Sequence, residues 1–294
     1  MSGALKDVVW KIWADVAKRT ARAYVPGPSL EDALRVCRWA SDQSLASTIG
    51  FWDGEKDTPA EVVEQYVLAA SRVAHESLDS YISIKAPSFE FDLGLLKKVV
   101  GRSAEADIRV HFDSLKTETA DETFALIGKV AARGIKIGCT LPARWVRSLG
   151  DVERAVDMGL SVRVVKGQWA DPTAPTIDVC KNFLAIIDRL AGRVPGVAVA
   201  THDVHLARES LGRLQEAGAY CEAELLFGLP VRPVMRTARG LGIPVRLYVP
   251  YGEGYLPYTL SQARQRPRIF WWIVRDTLLA RTLFVPRSYR SDAS

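Results

Sequence analysis

The strongest constraint on this chain is an alternation of form. From about residue 80 onward, short β-branched runs take turns with longer amphipathic stretches. The runs are YISIK (81–85), IRVHF (108–112), IKIGCT (135–140), SVRVVK (161–166), VAVATH (197–202), YCEAEL (220–225) and VRLYV (245–249). An eighth, SLASTIGF (44–51), precedes the turn-like WDGEKD and a helical pattern over 58–78. Strand and helix in strict alternation predict βα units. Their spacing of roughly 25–35 residues is that of a right-handed crossover repeat. The runs read as apolar on both faces, which favours parallel pairing under a cover of helices. Eight such units predict an α/β fold, a (βα)8 barrel. An open doubly wound sheet fits less well, because no strand is followed by GxGxxG.

A chain of 294 residues accommodates one barrel, a unit that commonly runs to about 250 residues. The surplus lies in front. Residues 1–43, with the apolar-periodic ALKDVVWKIWADVAKRTARAYV, read as one or two helices preceding a barrel over 44–294. Hydrophobic residues make up 48% of the chain and the mean hydropathy is +0.01, enough for a sizeable core. That excludes a disordered or collagenous chain. The net charge of +5 comes from scattered Lys and Arg, so no nucleic-acid partner is expected. IFWWIV (269–274) is the longest apolar candidate for a membrane span, and Arg268 and Arg275 flank it. It is too short to cross a bilayer. Asp7 and Lys11 interrupt what would be the core of a signal peptide, so the expected location is the cytoplasm. The four cysteines, at 37, 139, 180 and 221, form no CxxC and read as reduced, mostly buried thiols.

In such a barrel the strand carboxyl ends converge on one mouth. The polar residues there are Lys85, Asp113, Thr140, Lys166, Thr201, His202, Asp203, Glu224 and Tyr248. Arg163 is predicted to point inward, while Lys166 and Gly167 form a turn at the rim. THDVH (201–205) and His111 supply residue types that bind metals, but without an HExxH-like spacing, and no metal is expected. A strand-end lysine, Lys85 or Lys166, is chemically able to form a Schiff base with a carbonyl substrate.

The strand ends match a known set. The chain resembles the proline dehydrogenase family, flavoenzymes on a distorted (βα)8 barrel, over about residues 44–283. VRVVKGQWAD (162–171) is similar to the family's RLVKGAYxE strand, VAVATHD (197–203) to its ATHN or ATHD strand, and VRLYVPYGEGYLPY (245–258) to its last strand and the start of the final helix. YISIK, IRVHFD and CEAELLFGLP fill the remaining positions in order. The resemblance implies FAD across the strand ends, with Arg163 near flavin N5 and Lys166, Gly167, Trp169, Thr201, His202 and Asp203 along the ribityl and phosphate groups. It implies a substrate pocket of Lys85, Asp113, Leu226, Tyr248, Tyr258, Ser261 and Gln262 beneath the final helix, with Lys85 and Asp113 as a charge pair. Lys85, Asp113, Arg163 and Tyr248 would be the catalytic set. The implied reaction oxidises proline or a related cyclic secondary amine to the cyclic imine, by hydride transfer to the flavin. A quinone or other acceptor, at a membrane surface, would take the electrons.

The chain departs from the family pattern at several positions. Ser261 and Gln262 stand where the family carries two arginines that clamp the substrate carboxylate, and each charge-assisted contact of that kind is worth roughly 1.5–3 kcal/mol. Pro142 and Glu224 replace glutamines, Gln168 replaces a small alanine that would leave a wider flavin pocket, and Trp169 replaces a tyrosine. Two rival readings accompany the dehydrogenase one. One is a redox-inactive relative that binds a ligand or partner. The other is a flavin-free lyase or hydrolase using Lys85 or a metal on His202 and Asp203.

Overall fold

The structure, a computed structural model, describes residues 26–131 and 135–254 together with Leu283, Val285 and Tyr289. Ser29 and Thr58 start the first two described helices in the same way. Each hydroxyl accepts the amide three residues on, and the carboxylate there, Asp32 or Glu61, accepts the cap amide in return. These reciprocal caps satisfy donors that a helix N-terminus leaves unpaired. They open α1 (Leu30–Asp42) and α2 (Pro59–His75). Asp92, Asp178 and Asp203 cap α3 (Leu93–Glu105), α6 (Val179–Leu190) and α7 (Val204–Glu216). The others are α4 (Ala120–Ala131), α5 (Ser148–Asp157) and α8 (Arg232–Gly240).

Between the helices run β1 (Ala46–Phe51), β2 (Ser80–Ile84), β3 (Val110–Phe112), β4 (Ile137–Pro142), β5 (Ser161–Val165), β6 (Val197–Ala200), β7 (Cys221–Leu226) and β8 (Val245–Tyr251). All pair in parallel, each with its neighbours in sequence, and β1 closes on β8 through Ala46–Phe51 against Arg246–Tyr251. The eight sequence runs are the eight strands, with ends moved by at most two residues. α1 packs on β8 and β1, so a helix from the N-terminal surplus covers the barrel where it closes. The N-terminal 25 residues of that surplus lie outside the described residues.

One expectation fails. Most of the strands are apolar on one face only, and β6, VAVA, is apolar on both. Ile82, Ile84, Val110, Leu141, Val164, Leu225 and Leu247 are buried in the core that the helices share, with Val62, Tyr66, Phe183, Ile187 and Leu211 on the helix side. Many of the alternate positions carry a polar residue that is buried as well: Tyr81, Ser83 and Lys85 on β2 and its end, His111 on β3, Thr140 on β4, Arg163 on β5, Glu222 and Glu224 on β7, Arg246 and Tyr248 on β8. A parallel strand alternates faces, and a closed barrel hides the inner face as fully as the outer. Burial therefore does not require apolar residues there. It requires that each polar group find a partner.

Three of the four cysteines, Cys37, Cys139 and Cys221, are buried free thiols, and Cys180 is exposed. No helix among the described residues is long and apolar enough to cross a membrane.

Candidate active site

The polar interior is built in two tiers. Deeper in the barrel, Arg246 Nε donates to both Glu222 oxygens at 2.9 and 3.0 Å, and Nη1 reaches the Ser47 carbonyl at 2.6 Å. The Tyr81 ring takes the Arg246 and Arg109 guanidinium groups at 4.6 and 4.7 Å from its centroid.

Above this tier sits Arg163, 3% exposed. Its Nε and Nη2 donate to the two Glu224 oxygens, each at 2.7 Å. Its Nη1 donates to Asp113 Oδ1 at 2.6 Å and Ser83 Oγ at 3.2 Å, and Nη2 also reaches the Tyr81 hydroxyl at 3.2 Å. A guanidinium has five N–H groups, and these contacts engage all of them. Tyr81 Oη and Thr48 Oγ1 donate to Glu224 as well, at 2.7 and 2.8 Å. Burial by itself would raise the Glu224 carboxyl, but the Arg163 charge and these hydrogen bonds bring it below the ordinary carboxylate value. Burial likewise works against the Arg163 charge, and Glu224, Tyr81 and Asp113 override it, holding the guanidinium well above its usual value. The negative charge at position 224 therefore has its cation.

Tyr248 completes the upper tier. Its hydroxyl donates to Asp113 Oδ2 at 2.9 Å and accepts from Trp52 Nε1 at 3.3 Å, and its ring lies 5.1 Å from the Arg163 guanidinium carbon. Gly50 makes room for it: a Cβ there would stand 2.2 Å from the Tyr248 hydroxyl. Burial, then the Asp113 carboxylate, push the Tyr248 phenol well above its ordinary value, so it remains a neutral hydroxyl.

The expected Lys85–Asp113 pair does not form. Arg163 and Tyr248 take both Asp113 oxygens. Lys85 instead donates from Nζ to the Phe51 carbonyl at 2.5 Å, stands 3.6 Å from Asp53 Oδ1, and lies 5.2 Å from the Trp52 ring centroid. Burial lowers the Lys85 ammonium below its ordinary value, with Asp53 and Asp113 opposing.

At the rim, Lys166 Nζ pairs with Asp203 Oδ2 at 3.0 Å, both side chains 37% exposed. Gly167 turns with φ +86°, and a Cβ there would meet Pro142 Cβ at 2.8 Å. Only glycine fits both demands. Trp169 is exposed, with the Lys116 ammonium 5.9 Å over its ring, and its carbonyl accepts Trp145 Nε1 at 3.0 Å. Gln168 is exposed too, so its length points into solvent and not into the barrel. Thr201 is buried and accepts the Asp203 amide at 3.2 Å. His202 Nδ1 lies 3.3 Å from the Pro230 carbonyl and Nε2 accepts the Leu226 amide at 3.2 Å, which assigns the proton to Nδ1. Burial pushes this histidine down to about 4. With both ring nitrogens engaged and Asp203 occupied by Lys166 and the α7 cap, the pair is committed to holding the loops together.

The structure thus brings Lys85, Asp113, Arg163 and Tyr248 to one mouth, with Leu226 at the end of β7, and sets Lys166, Gly167, Trp169, Thr201, His202 and Asp203 around it. Tyr258, Ser261 and Gln262 lie outside the described residues. The rim offers a half-exposed ammonium beside a glycine turn that admits no side chain, and a phosphate bound there would draw Lys166 away from Asp203. Arg163 has no spare N–H, so a hydrogen bond from it to a flavin requires exchange of a present partner. Thr48, Gly50, Trp52, Asp53, Tyr81, Ser83, Glu222 and Arg246 were not singled out from sequence. The patterns YxSxK, ExE and RxY inside apolar runs carried that signal for Tyr81, Ser83, Glu222 and Arg246, and no such pattern marks Thr48, Gly50, Trp52 or Asp53. At the opposite end of the barrel a cavity of about 320 Å³ opens among residues including Arg109, Lys136, Ser161, Tyr220 and Glu222, and none of the strand-end residues lines it.

No protein-family model matches the chain. Among curated proteins it is similar to Proline dehydrogenase 1 of Bacillus subtilis, 23% identical over 276 residues, covering 88% of this chain and 90% of that protein. It is similar also to Proline dehydrogenase of Deinococcus radiodurans, 24% identical over 281 residues with the same coverage. Among solved structures, proline utilization A (PutA) from Bdellovibrio bacteriovorus superposes with a TM-score of 0.73 at 16% identity, over 90% of this chain and 33% of that one. The similarity to proline dehydrogenases that the motifs suggested thus extends over 88% of the chain, at 23–24% identity.

Proposed function

We propose that this relative of the proline dehydrogenases is an FAD-dependent oxidoreductase acting on a CH–NH bond, oxidising proline or a related cyclic secondary amine to the cyclic imine. The arrangement that carries the reading is Arg163 braced between Asp113 and Glu224 under the Tyr248 ring, at the end of the barrel where strand tips converge. When bound, FAD supplies a two-electron acceptor for the hydride that leaves the carbon beside nitrogen.

The protein's own part is to bind, orient and exclude water. Lys166 and the Gly167 turn would hold the cofactor's phosphates, with Thr201, His202 and Asp203 fixing the neighbouring loop and Trp169 offering a ring face. Tyr248 walls the amine pocket. Its hydroxyl, fixed by Trp52 and Asp113 and kept protonated, positions the substrate ring and does not act as a base. Leu226 forms an apolar side, and Tyr258, Ser261 and Gln262 would complete the cover. Arg163 would supply a permanent positive charge on the side of the mouth where a bound flavin gains electron density. Electrons would then pass to a quinone or another acceptor, reached from the cytoplasm or at a membrane surface.

The test is the visible spectrum of the freshly isolated protein, then bleaching under anaerobic addition of L-proline and pyrrolidine. A flavin spectrum that bleaches with either amine is expected. A colourless protein that does not take up added FAD overturns the reading.

A further inference from the structure

The cations of the mouth are already satisfied by the protein itself, and what they leave is an excess of carboxylate. Between the strand tips of the described residues lie two positive side chains, Lys85 and Arg163, and three negative ones, Asp53, Asp113 and Glu224. The rim pair Lys166–Asp203 is neutral in sum. Arg163 has no N–H free for a ligand. Among the described residues between the strand tips, Lys85 is the remaining cation that could receive an anionic substituent, and it is tied down. Its ammonium lies 3.6 Å from Asp53, donates to the Phe51 carbonyl and is covered on another side by the Trp52 ring. Asp53 is itself anchored, accepting from Ser88 Oγ at 2.8 Å, so the carboxylate is held in place beside the lysine.

We propose that Asp53 is a specificity-determining residue: by occupying Lys85 it turns the mouth into a site for a cyclic secondary ammonium ion without a carboxylate, in preference to an amino acid. This rests on the reading of the mouth as a cyclic-amine site. A carboxylate entering beside Lys85 would meet Asp53 at close range, and like charges at such a distance repel. Among the described residues, a ring ammonium with no anionic group meets the excess carboxylate and the faces of Trp52 and Tyr248, which attract cations. Replacing Asp53 by asparagine keeps the size and the hydrogen bond from Ser88 while releasing the ammonium.

The experiment is calorimetric titration of the flavin-loaded protein with pyrrolidine and with L-proline, for the wild type, Asp53→Asn, and Asp53→Asn combined with Lys85→Met. The wild type should bind pyrrolidine at least about tenfold more tightly than proline, the factor of one charge-assisted hydrogen bond. Asp53→Asn should move the ratio about tenfold toward proline, and the double variant should lose that gain. Wild-type protein that binds proline as tightly as pyrrolidine, that binds neither, or whose ratio does not respond to Asp53→Asn overturns the proposal. Bleaching, read in the same samples, separates the two readings. Binding in the stated ratio without flavin reduction removes the redox function and leaves the role of Asp53, whereas reduction by proline with an unmoved ratio does the reverse.

Discussion

Glu224 is the residue on which the interior depends most heavily, and Glu224→Gln measures how much. Four hydrogen bonds end on its carboxylate: two from Arg163 at 2.7 Å each, one from Tyr81 at 2.7 Å and one from Thr48 at 2.8 Å. A glutamine has one acceptor oxygen and one NH2, so half of these become donors facing donors. Arg163 would keep Asp113 as its one counter-charge in this tier. Breaking one side of a buried ion pair costs about 3–5 kcal/mol. At about 2 °C per kcal/mol for a chain of this size, Tm should fall by about 6–10 °C. Glu153→Gln is the control. Its pair with Arg193 is equally short, 2.7 Å, but the side chains are 50% and 42% exposed, and solvent screens an exposed pair so that its loss is hardly felt. Thermal unfolding followed by circular dichroism compares the two. The pH course supplies an internal check: with its folded pKa lowered, Glu224 stabilises above its ordinary carboxylate range and loses that contribution as pH falls. The gap between wild type and Glu224→Gln should therefore narrow in acid. Equal Tm shifts for the two variants, or a Glu224→Gln protein as stable as the parent, would refute the claim that this ion pair braces the barrel.

Two further outcomes follow from the same geometry. Gly50→Ala puts a methyl 2.2 Å from the present Tyr248 hydroxyl, so the ring must shift and lose Asp113 or Trp52; amine turnover should drop roughly 10–100-fold, with circular dichroism unchanged, and unaltered turnover would mean that Tyr248 does not position substrate. Stability should also decline between pH 7 and pH 5. Burial, reinforced by Arg163, Arg109 and Arg246, holds His111 well below its ordinary value, and His202 lies at about 4. Unfolded, each takes up a proton that the folded form refuses, so their stabilisation is complete above about pH 6.5 and fades below it, by at most about 2 kcal/mol per histidine at pH 5. A flat Tm over that interval would show that these rings are protonated in the folded protein.

The order and number of the strands could be read from the chain because they depend on local matters: β-branched runs, caps such as Thr58 with Glu61, and the spacing between them. The direction of Arg163 followed from the alternation of side chains along a strand. The family resemblance also lived in contiguous words, VRVVKGQWAD above all. Pairings across the barrel were not legible. Lys85 was expected beside Asp113 and lies instead by Asp53, and Glu224, which in sequence stands out only as the replacement of a family glutamine, is the main counter-ion of Arg163. Position 224 is 61 residues from Arg163 and 143 from Tyr81. Strand periodicity gives the face on which a residue lies, whereas the partner it meets depends on closure and register of all eight strands. Hydrogen bonds and ion pairs act over a few ångströms, and only the closed barrel brings those residues within that range.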